Sequence, residues 1–342
     1  MRDGVSIVVC CHNSARLIPE TLAHLAVQKF SLPAPPCEVI VVDNASDDRT
    51  ADVAAASWPR NSAIPLRVVR EPTLGLTSAR IRGIAEAKYE IVCFVDDDNR
   101  VSADWIDTVS TVMSDHPEVG ACGGQVEAVS DVTLPDWFAR FQNYYAVGQQ
   151  AGEAGDVTET RGYLWGAGLC LRKQAWRALA EKEFSFVLSD RKGRVLSAGG
   201  DAELCYALRL TGWRLWYEPK LRMQHFLPAA RLQWDYLRRV SRGFGAATTG
   251  IDAYEMVIHA EPDGFIQNLR RTWGWQTLAT IKWLLRTPFK LVAASVSPME
   301  GDADVLKVEN LWGRLLELIK NRGNYVSNRE RVAGGKTASR SD

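Results

Sequence analysis

The sequence predicts an α/β fold, with a mostly parallel central sheet flanked by helices and a helical C-terminal extension. Two observations lead to this prediction. Along the first hundred residues, short apolar runs rich in β-branched side chains alternate with segments of helical pattern. The runs are continuously apolar, which is typical of strands that are buried on both faces of a parallel sheet.

The elements follow in a regular order. The predicted strands cover residues 5–10, 38–43, 66–69 and 91–95. The first helix carries Pro19 and Glu20 in its first turn, where proline and an acidic side chain are both favoured. The later helices cover residues 50–56 and 78–87, and a further strand-like segment covers residues 214–223.

Polar side chains stand where three of these strands end. Asn13 and Asp43 follow the first two strands, and Asp96, Asp97 and Asp98 follow the strand at residues 91–95. The carboxyl ends of parallel strands meet at one edge of a sheet, where ligands bind in open α/β folds. Asp96 and Asp98 project to the same side of an extended chain and could share one hard divalent cation. A solvated acidic turn is the other interpretation.

Four segments together resemble family 2 glycosyltransferases. They are Val-Ser-Ile-Val-Val near the start, Val-Val-Asp-Asn-Ala-Ser-Asp-Asp-Arg-Thr, Gly75 with Ala79-Arg80, and Phe-Val-Asp-Asp-Asp. The resemblance covers residues 4–230. It implies the GT-A (Rossmann-like) fold and transfer from a nucleotide-diphosphate sugar, with inversion at the anomeric carbon. The combination is specific, whereas the short D-x-D element alone is weak.

The resemblance also implies a set of donor-binding residues. Base and ribose would lie against the first two strand ends, and Asp97 would contact the sugar or the ribose. A basic residue at the position of Arg80 would face the donor, and a small-residue turn would line the sugar pocket, where an aromatic ring can stack on a pyranose. Plain core packing is the other interpretation of that aromatic residue, Trp165. The predicted donor-binding residues are Asn13, Asp43, Arg80, Asp96, Asp97, Trp165 and Gly166.

By the same resemblance, Asp96 and Asp98 would anchor Mg²⁺ or Mn²⁺, because hard oxygen ligands and substrate phosphates suit these ions. His225 would complete the metal shell or touch the diphosphate. Arginines that follow His225 could bind phosphate or could line an exposed helix face. These arginines are Arg231, Arg238, Arg239 and Arg242.

An inverting transfer needs a general base that deprotonates the acceptor hydroxyl. The family usually carries Glu-Asp at the start of a helix, and this chain has Gly200 followed by Asp201. We therefore predict Asp201 as the base. Glu203 is the second choice for the base, with acceptor orientation or helix capping as its other possible roles.

Composition limits the function classes. The chain has 342 residues and a formal net charge of +0, so nothing indicates nucleic-acid binding. Its 7 cysteines have no zinc-site spacing, which favours free thiols in a reducing cytosol. No signal peptide precedes the first strand, and no apolar stretch has the length of a membrane span. We expect a cytoplasmic protein that is at most peripheral at the inner face of the cell membrane.

Residues 269–296 form a basic, tryptophan-rich segment without an acidic residue. A helix of this kind can lie in a membrane interface, or it can pack on the protein or on a second copy. The sequence does not define the oligomeric state. We divide the chain into a nucleotide-sugar-binding half (1–125), an acceptor-binding half (126–230), a helical extension (231–330) and a disordered tail (331–342).

The leading functional hypothesis is an inverting glycosyltransferase of cell-surface polysaccharide biosynthesis. It would use a nucleotide sugar, with a uridine diphosphate sugar favoured, and a saccharide or lipid-linked saccharide acceptor. A catalytically inactive sugar-nucleotide-binding scaffold is a second hypothesis, because Gly200 departs from the family pattern. A nucleotidyltransferase is a third, although it would need a glycine-rich loop after the first strand, which residues 11–16 lack.

Overall fold

Four parallel strands form the first half of the central sheet. The computed structural model describes residues 3–188, 199–259, 264–286 and 299–334. In this half the strand order is β3-β2-β1-β4 and every pairing is parallel, as the sequence predicts. The elements are β1 (Val5–Cys11), α1 (Ile18–Ala26), β2 (Cys37–Asn44), α2 (Thr50–Ser57), β3 (Leu66–Glu71), α3 (Leu76–Glu86) and β4 (Ile91–Asp96).

The second half of the sheet mixes directions. It continues from β4 in the order β8-β6-β9-β5, with β8 antiparallel to both of its neighbours and β6 parallel to β9. Its strands are β5 (Asn99–Val101), β6 (Val119–Val129), β7 (Gly155–Asp156), β8 (Cys170–Arg172) and β9 (Arg214–Phe226). Its helices are α4 (Trp105–Asp115), α5 (Phe138–Phe141), α6 (Lys173–Glu181) and α7 (Gly200–Leu210), with 3₁₀ turns at Gln142–Tyr145 and Ala229–Leu232.

Strand register brings the polar strand ends together. Cys11 lies opposite Asp43 across the β1–β2 pair, and Cys10 lies opposite Asp96 across the β1–β4 pair. The interiors of β1, β2 and β4 are buried, so a slip of one residue would place apolar side chains in the wrong layer. The buried register therefore fixes which polar residues reach the edge of the sheet.

The C-terminal extension is helical, as predicted. It contains α8 (Trp234–Ile258), α9 (Phe265–Arg270), α10 (Trp273–Leu285), α11 (Ala303–Lys320) and α12 (Arg322–Gly334). In the described parts of the chain, no helix is long and apolar enough to cross a bilayer. α8 and α11 cross closely, because Gly245 approaches the Asn310 carbonyl and Gly313 approaches the Arg242 carbonyl. Buried Glu309 lies between Arg238 and Arg242, with closest N–O distances of 2.7 and 2.6 Å.

One sequence prediction about the C-terminus is wrong. The tail was expected to be disordered from residue 331, but α12 continues to Gly334. Tyr325 explains this, since its ring is buried and its hydroxyl donates to Asp252 at 2.8 Å, which ties α12 to α8. Residues 335–342 lie outside the described part.

The close crossing of α8 and α11 makes a stability prediction. Gly245→Ala would place a methyl group on the Asn310 carbonyl, so we expect the free energy of unfolding to fall by about 1–3 kcal/mol. Gly274→Ala in α10 is the matched control, because a Cβ there meets nothing within 4 Å. We expect that variant to gain about 0.5–1 kcal/mol from helix propensity. Urea unfolding followed by circular dichroism measures both, and equal stability of the two variants would contradict the close crossing.

Candidate active site

A cleft of about 410 Å³ opens at the carboxyl ends of β1 and β4. Its walls come from both halves of the sheet, from the loop before α3, from the start of α7 and from α8. Eight of the residues singled out from the sequence as donor, metal or base residues line it: Arg80, Asp96, Asp97, Asp98, Trp165, Gly166, Asp201 and His225. The structure thus brings together residues that are up to 145 positions apart.

Three aspartates concentrate negative charge at the end of β4. Burial, and then repulsion by Asp98, raise the pKa of Asp96 and raise the pKa of Asp97 to about 7. Burial acts in the same direction on Asp98, but the charges of His225 and Arg231 outweigh it and lower the pKa of Asp98. The basic side chains around the cluster therefore do not fully offset the negative charge of the three carboxylates.

Asp98 is held by two basic side chains. Arg231 donates to Asp98 Oδ2 at 2.8 Å, and His225 Nε2 lies 3.5 Å from the same oxygen. His225 Nδ1 lies 2.9 Å from the Tyr145 carbonyl, which can only accept a hydrogen bond, so Nδ1 carries a proton. This contact fixes the ring and turns Nε2 toward the cleft, as metal-binding histidines are held. Although burial lowers the pKa of His225, Asp98 raises it above the ordinary value.

The donor chemistry of Asp98 and His225 fits a divalent cation. In the part of the chain that the structure describes, however, no group of three histidine, cysteine or acidic side chains is arranged to hold an ion. Asp96 lines the cleft but does not join the other two as a third ligand. A cation at Asp98 and His225 would need oxygen ligands from the substrate, which suits a diphosphate.

Arg80 and Asp201 form an ion pair inside the cleft. Arg80 reaches it from α3, with its guanidinium 5.2 Å from the centre of the Phe94 ring. Burial alone would lower the pKa of Arg80, but the carboxylates of Asp201 and Asp96 raise it above the ordinary value. The positive charge of Arg80 thus interacts both with Asp201, the predicted base, and with Asp96 at the end of β4.

Gly166 makes room for the Asp201 carboxylate. Asp201 sits in the first turn of α7, and its carboxylate lies where a Cβ on Gly166 would be. No larger residue at position 166 is compatible with this arrangement. Next to it, Trp165 lines the cleft with its ring 4.9 Å from the Arg161 guanidinium.

The structure contradicts Glu203 as a possible base. Its side chain is fully buried, and its carboxylate accepts hydrogen bonds from the backbone N–H groups of Val187 and Leu188 and from the Tyr254 hydroxyl. Burial raises the pKa of Glu203 in spite of these bonds. An acceptor cannot reach this group. Glu203, which lies on α7, instead links the backbone of Val187 and Leu188 to Tyr254 of α8. The side chain of Leu188 lines the cleft.

Asn13 and Asp43 do not line the cleft, in contrast to the prediction for donor-binding residues. Asn13 is exposed and joins two loops, with its N–H donating to Ser46 and its Oδ1 accepting from the N–H of Asp47. Asp43 is buried, and its Oδ1 accepts no hydrogen bond from the described residues. A buried acceptor without a partner is costly unless a ligand satisfies it.

Sequence reasoning missed His12 and Asn44, which line the cleft beside the predicted residues. His12 Nδ1 lies 2.9 Å from the Asn44 carbonyl, and Asn44 Oδ1 accepts from the N–H of Gly75 at 2.8 Å. His12 directly follows β1 and Asn44 ends β2, and their closeness to the predicted strand ends was the available signal. Of the four arginines after His225, Arg231 enters the cleft, whereas Arg238 and Arg242 pair with Glu309.

Comparison with known proteins gives the family. Residues 6–172 match the model of "Glycosyl transferase family 2". The matched part, 167 of the 342 residues, belongs to this family. It is 23% identical over 242 residues to the glucosyl-dolichyl phosphate glucuronosyltransferase of Haloferax volcanii, covering 68% of this chain and 72% of that protein. At Gly200, where the family resemblance implies an acidic residue, a Cβ would meet nothing within 4 Å.

Solved structures agree on the fold. Staphylococcus aureus TarS 1–349 with UDP-GlcNAc superposes with a TM-score of 0.53 at 16% identity, over 96% of this chain and 90% of that chain. The mannosyltransferase PcManGT of Pyrobaculum calidifontis with GDP-Man and Mn²⁺ gives 0.52 at 18% identity, over 98% and 86%. These similarities confirm the predicted GT-A fold.

The contact of Gly166 with Asp201 predicts a loss of activity without loss of the fold. In Gly166→Ala the new methyl group displaces the Asp201 carboxylate, and we expect turnover to fall by about 100-fold. Gly152→Ala is the control, because a Cβ at position 152 meets nothing within 4 Å. Donor hydrolysis or transfer assays measure the effect. Equal turnover of the two variants would show that the placement of Asp201 does not matter.

Glu203 generates a prediction about stability. Glu203→Gln replaces one acceptor oxygen by a donor beside a backbone N–H, so we expect the free energy of unfolding to fall by about 1.5–3 kcal/mol. Tyr254→Phe removes one hydrogen bond to the same carboxylate and should cost about 1 kcal/mol. Urea unfolding checks both. A Glu203→Gln variant with unchanged stability but no turnover would restore the catalytic role.

Proposed function

We propose that this chain is an inverting glycosyltransferase that moves a sugar from a nucleotide-diphosphate sugar to a saccharide or lipid-linked saccharide. The carrying observation is one cleft in which Asp201, paired with Arg80, faces the acidic end of β4. We further propose that the donor is a uridine diphosphate sugar. The UDP-GlcNAc bound to the structural neighbour TarS supports this choice.

Asp201 is the general base of the proposed reaction. It takes the proton of the acceptor hydroxyl, while the hydroxyl oxygen attacks the anomeric carbon and the bond to the diphosphate breaks on the opposite face. Arg80 orients the Asp201 carboxylate before the acceptor arrives. Gly166 leaves the space in which that carboxylate lies. Asp201 belongs to the first turn of α7, so the helix backbone fixes the position of its Cα.

The donor lies across the ends of β1, β2 and β4 in this proposal. Asp98 and His225 would hold Mg²⁺ or Mn²⁺, with Asp96 adding negative charge nearby. The bound cation would offset the charge of the departing diphosphate. PcManGT, which was crystallised with GDP-Man and Mn²⁺, supports the choice of ion. Arg231, which donates to Asp98, would supply positive charge for the diphosphate.

The acceptor enters from the side of α8, where Tyr236, Val240 and Phe244 line the cleft. Aromatic faces suit the apolar side of a pyranose as well as a lipid chain. The similarity to an enzyme of glucosyl-dolichyl phosphate favours a lipid-linked saccharide. We place the reaction in cell-surface polysaccharide or glycolipid assembly, at the cytoplasmic face of the membrane.

Neutralising the base should separate binding from transfer. In Asp201→Asn we expect donor affinity to remain within about threefold of the wild type and turnover to fall by about 1,000-fold, since the base is lost. Asp52→Asn removes an exposed carboxylate from α2 and is the matched control. Transfer is followed by release of the nucleoside diphosphate. Normal turnover in Asp201→Asn would remove the base assignment.

Calorimetric titration with uridine, thymidine and guanosine diphosphates, with and without Mn²⁺, tests the donor site. We expect one nucleotide to bind at least about tenfold more tightly with the ion, because the aspartate cluster repels a bare diphosphate. Binding without donor hydrolysis or transfer would favour the scaffold hypothesis. Exchange of pyrophosphate into a nucleoside triphosphate would favour a nucleotidyltransferase.

A further inference from the structure

Helix α10 exposes its more apolar side. Thr277, Thr280 and Leu284 form its buried stripe, so two of the three buried positions are polar. On the opposite side, Leu278 and Leu285 are 66% and 67% exposed and Trp275 is 41% exposed. These three residues follow the spacing i, i+3 and i+10, which places them on one face. A helix on the surface of a soluble protein normally buries its apolar side and exposes its polar side.

The helix lies against α11 in an antiparallel orientation. Trp273 Nε1 donates to the Leu318 carbonyl at 2.7 Å, and Lys307 Nζ lies 4.8 Å above the Trp283 ring at the other end. Thr272 caps α10 by accepting from the N–H of Trp275. The apolar face is thus held outward by defined contacts at both ends of the helix.

The chain segment that carries this face is basic. Residues 264–286 contain Arg270, Arg271, Lys282 and Arg286 and no aspartate or glutamate. Lys282 lies between Leu278 and Leu285 on the exposed face, at spacings of four and three residues. Leucine, tryptophan and lysine in this combination match a phospholipid interface, where apolar side chains enter the acyl boundary and cations meet headgroups.

We propose that the outer face of α10, formed by Trp275, Leu278, Lys282 and Leu285, binds the surface of an anionic phospholipid bilayer. The positive charge of Lys282 on the face and of Arg270, Arg271 and Arg286 next to it in the chain selects this occupant, because an uncharged apolar partner would gain nothing from these cations. The binding is peripheral, with the helix axis parallel to the membrane. It is stronger on anionic than on zwitterionic lipid and weakens as salt rises.

Helix α11 provides a contrast within the same chain. Trp312, Leu316 and Ile319 are also exposed, at 42%, 46% and 59%, and share one face. This helix, however, carries Asp304, Glu309 and Glu317 beside three basic residues, so it has no excess of positive charge. Exposure of tryptophan and leucine alone therefore does not single out α10, whereas exposure together with charge does.

The position of this face has a consequence that rests on the proposed function. α10 packs on α11, and α11 packs on α8, which supplies one wall of the cleft. A membrane-bound α10 would hold this helical layer at the bilayer, where a lipid-linked acceptor is confined. The membrane contact itself stands on the exposed face and its charge, and not on the identity of the reaction.

Vesicle co-sedimentation of the full chain tests the proposal. The vesicles contain phosphatidylcholine with about 30% phosphatidylglycerol, or phosphatidylcholine alone. We expect the wild type to pellet with the anionic vesicles at low salt and to be released at high salt. In the double variant Trp275→Ser/Leu278→Ser, the apparent affinity should fall by about tenfold or more. Lys282→Glu should weaken binding to anionic vesicles only.

Trp312→Ser/Leu316→Ser is the matched control and should bind vesicles like the wild type. Circular dichroism shows whether each variant is folded. No pelleting of the wild type, or an equal loss in the α11 variant, would overturn the proposal. A dimer in light scattering that only the α10 variant disrupts would assign the face to a second copy instead.

Donor hydrolysis in the absence of lipid separates this proposal from the proposed function. The α10 variant should keep its hydrolysis rate, because no residue of α10 lines the cleft. Vesicle binding without donor hydrolysis would support the membrane contact and contradict the proposed enzymatic activity. Donor hydrolysis without vesicle binding would support the enzymatic activity and contradict the membrane contact.

Discussion

The crowding of three adjacent carboxylates at the end of β4, with Asp98 buried and Asp96 and Asp97 half-buried, is the constraint on which the rest of the site depends. Repulsion and the loss of hydration both act against charge at Asp96 and Asp97. Basic side chains from three distant segments lie near these carboxylates: Arg80 from α3, His225 from β9 and Arg231 from the turn after β9. An acidic centre that remains difficult to neutralise is well suited to a cation that arrives with a phosphate ligand.

Backbone geometry holds this arrangement in place. The fully buried strands fix the register, so Cys10 lies opposite Asp96 and the strand ends share one edge. Antiparallel β8 follows β4 in the sheet, and the turn before it contributes Gly166 to the same cleft. The absence of a side chain at Gly166 then admits the carboxylate of Asp201. A rigid sheet and one missing side chain together define where the proposed base lies.

The helical extension completes the site. α8 closes the cleft with its aromatic side chains, and Glu309 of α11 holds α8 through two arginines. Breaking such a buried ion cluster by removing one partner is expensive, because the remaining charges lose their compensation. The extension therefore packs as one layer with the cleft, and its outer helix α10 carries the face for which we propose a membrane contact.

Much of this could be predicted from the sequence, for a physical reason. Apolar runs such as Ile91–Val95 define buried strands locally, and the acids that follow them must then stand at the carboxyl edge of the sheet. The parallel strand order and the place of Asp96, Asp97 and Asp98 at the cleft follow from that rule. The family resemblance added the candidate base, Asp201, which no periodicity singles out.

Tertiary structure alone decided how the charged side chains are paired. Sequence cannot show that Arg80 contacts Asp201, because 121 positions separate them and any exposed helix arginine looks the same. The full burial of Glu203 depends on packing against α8 and on the N–H groups of Val187 and Leu188. Asn13 and Asp43 likewise end predicted strands, but only the three-dimensional path of the loops turns Asn13 outward and leaves Asp43 beneath the surface. Local patterns determine elements and edges, whereas hydrogen bonds and ion pairs between distant segments depend on side-chain packing that no local pattern encodes.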